Sequence, residues 1–99
     1  MTELLQQISA LIADSERDLD RIERTLTDGY AYALTLEAER WRLEKRLSEV
    51  AQDLPAGDLE GKGAEITSLA QRLDGNADEL SMLRSRLGEL RRYADAVRV

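Results

Sequence analysis

Residues 5–54 read LQQISALIADSERDLDRIERTLTDGYAYALTLEAERWRLEKRLSEVAQDL, and this stretch decides the fold. Apolar residues recur in it at alternating steps of three and four, and they fill twelve of fifteen successive positions of that rhythm. A seam that keeps its phase over so many heptads is typical of a coiled-coil helix. Ser15, Gly29 and Arg40 take the other three positions. The apolar members are Leu5, Ile8, Ile12, Leu19, Ile22, Leu26, Ala33, Leu36, Leu43, Leu47, Val50 and Leu54.

The seam predicts one long helix over residues 2–53. Asp28-Gly29 is a local turn signal, but the heptad phase agrees on both sides of Gly29, which a loop would have little reason to preserve. A break at Gly29, giving a three-helix bundle, is the alternative. Pro55 disfavours helical geometry in the residue before it, and three glycines follow within eight residues, so we expect a loop over residues 54–63.

A second apolar seam predicts another helix over residues 64–98. Two helices joined by a short loop lie antiparallel, so facing residues have position numbers of constant sum. A sum of 116 aligns the two seams, pairs Gly29 with Leu87, and places Arg40 opposite Asn76 as one polar core layer. Such a layer fixes register, or alternatively contacts a ligand or partner. The seam members are Ile66, Leu69, Leu73, Asn76, Leu80, Leu83, Leu87, Leu90, Ala94 and Val97.

The predicted fold is therefore all-α: residues 1–99 form a single domain, an antiparallel two-helix coiled-coil hairpin. Its register leaves residues 1–18 without a partner helix, so we expect an N-terminal helical overhang of about 27 Å. An uncovered apolar face of this kind predicts a partner or oligomer interface, either a homodimer forming a helical bundle or docking on a different protein. A frayed terminus is the alternative. The five aliphatic residues of this face are Leu4, Leu5, Ile8, Leu11 and Ile12.

A second apolar surface lies midway along the first predicted helix. Tyr30, Leu34 and Trp41 are spaced by four and seven residues, which places them on one helical face off the seam. Ala31 and Ala38 would permit close approach of another helix. We expect either an interface with another helix, or aromatic stems that lie along the hairpin's own side, or a ligand cage.

Little catalytic chemistry is available to this chain. It has no cysteine and no histidine, which excludes Ser–His and Cys–His nucleophile pairs and standard zinc sites. Its glycine-rich segment follows a helix and lacks the lysine–hydroxyl pair of a P-loop. A net charge of −6 argues against a nucleic-acid partner. We therefore expect a protein that is not an enzyme and has no cofactor or metal.

The sequence also bears on membrane insertion and cellular location. No apolar run approaches the length of a membrane span, and residues 1–3 carry neither a basic region nor a cleavage site. We expect a cytoplasmic protein without a membrane partner.

In plan and length, the chain resembles the small secreted helical hairpins of actinobacterial type VII systems. It departs from their Trp-x-Gly turn, because Trp41 precedes Arg42-Leu43 inside a predicted helix. The plan is also similar to that of hairpin anti-sigma factors that hold cyclic dinucleotides, whose spaced ligand pattern occurs on neither helix. No family is assigned on these resemblances.

We predict a non-enzymatic protein–protein interaction module that self-associates, holds a regulatory partner such as a transcription or sigma factor, or does both. One alternative is a nucleotide- or anion-sensing regulator that uses the cations around Arg40, or Arg84 and Arg86 near the tyrosines. Another alternative is a small secreted helical-hairpin substrate.

Overall fold

The structure is a computed structural model that describes residues 1–13, 18–53, 57 and 59–98. Within these ranges all regular structure is α-helical: α1 spans Thr2–Ala13, α2 spans Leu19–Gln52 and α3 spans Leu59–Arg98. The all-α prediction is confirmed. The described residues form an elongated body of 61 × 16 × 15 Å. Ser15, Leu54 and Pro55, on which the seam and loop predictions partly rest, lie outside them.

Helices α2 and α3 lie side by side and run in opposite directions. Arg46 of α2 contacts Glu65 near the start of α3, whereas Gly29, much earlier in α2, packs against Leu87 near the end of α3. The second of these pairs belongs to the register that the two seams predict. Apolar residues at the seam positions are buried along the length of this contact.

Gly29 is helical and buried, so the prediction of an unbroken helix at this point is confirmed. A Cβ atom added at Gly29 would lie 3.3 Å from Cγ of Leu87 and closer still to Cδ2. Leu87 itself is almost fully buried. Glycine is therefore required here for close approach of α3, and not for a turn.

The prediction of an N-terminal overhang is wrong, because α1 packs back on α2 and α3. Ile8 is completely buried and Leu11 nearly so, while Leu4, Leu5 and Ile12 are half-buried against the same core cluster. The residues predicted as one helix over 2–53 thus form two described helices, with Asp18 as the N-cap of the second and Gly29 inside it. One end of the molecule is three helices thick, and the other end is two helices thick.

The balance of burial against capping explains this fold-back. Full burial of an aliphatic side chain contributes about 1.5–3 kcal/mol, and α1 buries two such side chains fully and three in part. A new helix start exposes up to four backbone N–H groups, and the Asp18 carboxylate accepts one of them from Arg21 at 3.1 Å. The burial of these apolar side chains is therefore the contribution that favours the fold-back.

Helix α3 starts five residues earlier than the sequence predicted, so Gly61 and Gly63 are helical. Lys62 supplies a physical reason for this difference. Its ammonium donates a hydrogen bond to the carbonyl oxygen of Asp53 and lies 3.9 Å from the Asp53 carboxylate. Asp53 is the C-cap of α2, where a cation is favoured by the unpaired carbonyls and the helix dipole.

Candidate protein-interaction surfaces

Exposed apolar residues midway along α2 form a row that we call the α2 face: Tyr30, Ala31, Leu34, Ala38 and Trp41. Tyr30 is 43% exposed, Leu34 66% and Trp41 62%, and the two alanines between them are exposed as well. None of these residues belongs to either core cluster. Their spacing keeps them on the side of α2 that points away from the α3 seam. The α2 face therefore lies outside the buried core.

Trp41 has one polar neighbour on its own helix. The ammonium of Lys45 lies 5.4 Å from the centroid of the Trp41 ring, a cation–π geometry across one helical turn. The ring remains mostly exposed beneath it. The contact therefore leaves most of the indole accessible to solvent.

The five aliphatic residues predicted as an interface near the N-terminus have a different environment. In this structure they contact the chain's own core, together with Met1, Leu19, Leu26 and Tyr93. The two groups of predicted interface residues are thus separated: the α1 group is internal, and the α2 face is external. Whether either group binds a partner stays a prediction.

The predicted polar core layer is only half present. Asn76 is buried, and its Nδ2 atom donates a 2.9 Å hydrogen bond to the carbonyl oxygen of Leu36. Arg40, in contrast, is exposed and pairs with Glu44 one turn along α2 at 3.0 Å. The placement of Arg40 in the core is therefore wrong. Burial of an unpaired guanidinium is costly, whereas its long side chain reaches water from the edge of the seam.

The cations proposed for anion binding are largely paired with carboxylates. Arg46 contacts Glu65 across the helices at 2.7 Å, and this hydrogen bond and the charge of Glu65 raise the pKa of Arg46. Arg84 pairs with Glu37, and Arg86 pairs with Glu89 at 3.1 Å. An incoming phosphate would have to displace these partners. The nucleotide-sensing alternative stays a prediction that no observed contact favours.

Two exposed apolar residues were not identified from the sequence. Leu59 is 63% exposed in the first turn of α3, and Met82 is 51% exposed on its outer side. Met82 borders a shallow groove with Asp78, Ser85 and Glu89. Its position one residue before seam residue Leu83 was a usable signal, since neighbours in a helix point about 100° apart.

The described residues also bear on metal binding and on membranes. No group of three or more acidic side chains, histidines or cysteines among them is arranged to hold a metal ion. None of the three helices, within their described lengths, is long and apolar enough to cross a membrane.

No protein-family model matches this chain, and neither a curated protein nor a solved structure matches it.

Proposed function

We propose that the chain is a non-enzymatic protein–protein interaction module in which α2 and α3 pair as a coiled-coil hairpin and the α2 face binds a helix of another chain. One observation carries the proposal, namely the continuous row of exposed Tyr30, Leu34 and Trp41 on one helical face. Tyrosine and tryptophan are the residue types that dominate binding energy at protein interfaces. A row of this kind on a small domain, outside the buried core clusters, is best explained by a partner.

Small residues in the row favour a helix as the bound element. Ala31 and Ala38 alternate with the large side chains of the α2 face. A facing helix can place its own large side chains over these alanines, as knobs that enter holes. The result would be a helical bundle whose added helix lies along α2.

The charge distribution favours a second copy of this chain as the partner. Residues 20–28 of α2 contain three acids and two arginines, whereas residues 40–46 contain four cations and one glutamate. In an antiparallel pair centred near residue 36, residues 26–28 at the end of the acidic segment of each copy lie beside residues 44–46 at the end of the cationic segment of the other. Asp28 then lies opposite Lys45, and a parallel pair would instead place like charges together.

A regulatory protein is the second partner class for the same face. A helix of a transcription or sigma factor with apolar residues at helical spacing would fill the α2 face equally well. Solution mass separates the two, because self-association at micromolar concentration would show as a dimer. A monomer would leave the face for a different protein.

The test is the solution mass, by light scattering, of the wild-type chain and of Leu34→Asp with Trp41→Asp. For protein that has not been refolded at high concentration, we expect a wild-type dimer and a monomeric double variant, since both aspartates would carry their charge into an apolar interface. The matched control is Ala70→Asp with Ala77→Asp on exposed positions of α3, which should remain dimeric. A double variant with the wild-type dimer mass would contradict the role of the α2 face.

A further inference from the structure

The docking of α1 creates a second surface with a different chemistry. Ile8 and Leu11 are inserted into a groove between α2 and α3 whose apolar floor includes Leu83, Leu87 and Leu90. Because α1 and α2 are joined by a short connection and share this cluster, α1 folds back roughly antiparallel to α2. If α1 were absent, the groove would expose a large apolar area at the thicker end of the molecule.

The heptad phase of α1 agrees with that of α2, although the two helices are separate. Leu5, Ile8 and Ile12 continue, through the position of Ser15, into Leu19 and Ile22 without a phase change. If α1 existed only in the folded-back arrangement, its apolar positions would not need to share the heptad phase of α2. The agreement indicates that residues 2–52 can also form one continuous helix with a single apolar stripe.

Little in the sequence prevents the continuous form. Residues 14–18 read DSERD and contain neither proline nor glycine. The start of α2 is marked by the Asp18 cap, and its carboxylate makes one hydrogen bond, to the N–H of Arg21. Loss of an N-cap changes helix stability by only about fivefold in the equilibrium constant.

We propose that the groove between α2 and α3 is also an interface for α1 of a second copy, reached when α1 and α2 join into one helix. In such a pair, each α1 lies antiparallel to α2 of the other chain, as it lies against its own α2 in the monomer. Every apolar contact of α1 is therefore re-formed between chains, which is domain exchange. This interface uses none of the residues of the α2 face and does not rest on that proposal.

The shape of the exchanged pair differs from that of a pair through the α2 face. The two-fold axis of the exchanged pair passes near residue 17, and the two bodies extend from it in opposite directions. With a rise of 1.5 Å per residue, the particle is on the order of 100 Å long. A pair through the α2 face would be about as long as the 61 Å monomer, since its copies lie side by side.

The experiment refolds the full chain at high concentration, where exchange is favoured, and measures mass by light scattering and maximum dimension by X-ray solution scattering. It is done in the Leu34→Asp/Trp41→Asp background, which removes association through the α2 face. A mixture of nitrogen-15-labelled and unlabelled chains carrying Leu4→p-benzoylphenylalanine is photo-crosslinked in parallel. We expect a dimer on the order of 100 Å long, with crosslinks from α1 to α3 that join labelled to unlabelled chains.

Two variants move the equilibrium in opposite directions. Proline is tolerated just after the end of a helix, so Ser15→Pro is compatible with separate α1 and α2. It would break a continuous helix, however, and should lower the association constant of the exchanged pair at least about a hundredfold. Asp18→Ala removes the cap and should raise the association constant roughly fivefold or more. Asp18→Asn keeps a capping side chain and serves as the matched control.

Three results would overturn the proposal. They are a monomer at every concentration after refolding, a dimer in which no crosslink joins a labelled to an unlabelled chain, and a dimer whose association constant neither variant changes. Circular dichroism shows whether the Ser15→Pro variant has folded. If that variant has not folded, the rise in the association constant expected for Asp18→Ala still tests the proposal.

Discussion

Nδ2 of Asn76 donates a 2.9 Å hydrogen bond to the main-chain carbonyl oxygen of Leu36, inside the contact between α2 and α3. A helical carbonyl points toward the residue four positions later, so this bond lies level with Arg40, where the sequence register places Asn76. The other amide atom, Oδ1, is buried and finds no hydrogen-bond partner in the part of the chain that the structure describes. Asn76 therefore marks the register of the two helices at a cost in stability.

Replacing Asn76 by leucine should stabilise the protein. The substitution removes the unpaired Oδ1, and the Leu36 carbonyl keeps its helical partner, the N–H of Arg40. A shallow cavity, also bordered by Tyr32 and Gly75, lies beside Asn76. We expect Asn76→Leu to raise the free energy of unfolding by about 1–2 kcal/mol in urea titrations. Asn76→Asp should lower it, and a less stable leucine variant would contradict this account.

Gly29→Ala should destabilise the protein, although alanine is the better helix former by about 1 kcal/mol. The new methyl group overlaps the side chain of Leu87, which is buried and has little space to move. We expect a net loss of about 1–3 kcal/mol in thermal or urea unfolding.

Gly75→Ala is the matched control for Gly29→Ala, since nothing lies within 4 Å of a Cβ at position 75. It should gain up to about 1 kcal/mol. Leu87→Val in the Gly29→Ala background should recover part of the loss. Equal effects at the two glycines would show that the contact with Leu87 is not tight.

Ile8→Ala tests whether α1 is an integral part of the core. Ile8 is completely buried, although it belongs to a helix of only 12 residues. We expect a loss of about 2–5 kcal/mol, the usual range for removing a buried isoleucine side chain. The exposed neighbour Gln7→Ala should change stability by less than about 0.5 kcal/mol. A variant as stable as wild type would mean that α1 is frayed in solution.

Trp41 is the only tryptophan and reports directly on the α2 face. Its ring is mostly exposed in a single chain, so emission at low concentration should resemble that of tryptophan in water. Association through the α2 face should shift the emission to shorter wavelength and reduce quenching by acrylamide as concentration rises. Leu34→Asp should abolish both changes. An emission maximum that is independent of concentration, while mass doubles, would assign the dimer to another surface.

The sequence predicted those parts of the fold that depend on periodicity. The seams of α2 and α3 and their contact at Gly29 and Leu87 follow from spacing alone, because helical geometry converts spacing into direction. The exposure of Tyr30, Leu34 and Trp41 on one face follows for the same reason.

The spacing of apolar residues could not predict whether residues 2–52 form one straight helix or fold back, because both arrangements have the same heptad pattern. The heptad phase of α1 suits a straight helix as well as a folded one, and only the apolar groove at the end of α3 decides between them. Arg40 occupies a seam position, but its long side chain leaves the seam to reach water and Glu44. The early start of α3 depends on the contact between Lys62 and Asp53, two residues that are neighbours only after folding.

The change from three helices to two along the 61 Å axis has a consequence for local opening. At the thicker end, Leu83 and Leu90 belong to a cluster of ten buried residues, whereas Val50 and Leu69 belong to one of three. Free energies of local opening follow the amount of buried apolar contact, so backbone amides should exchange with solvent fastest around Val50 and Leu69 and slowest around Leu87.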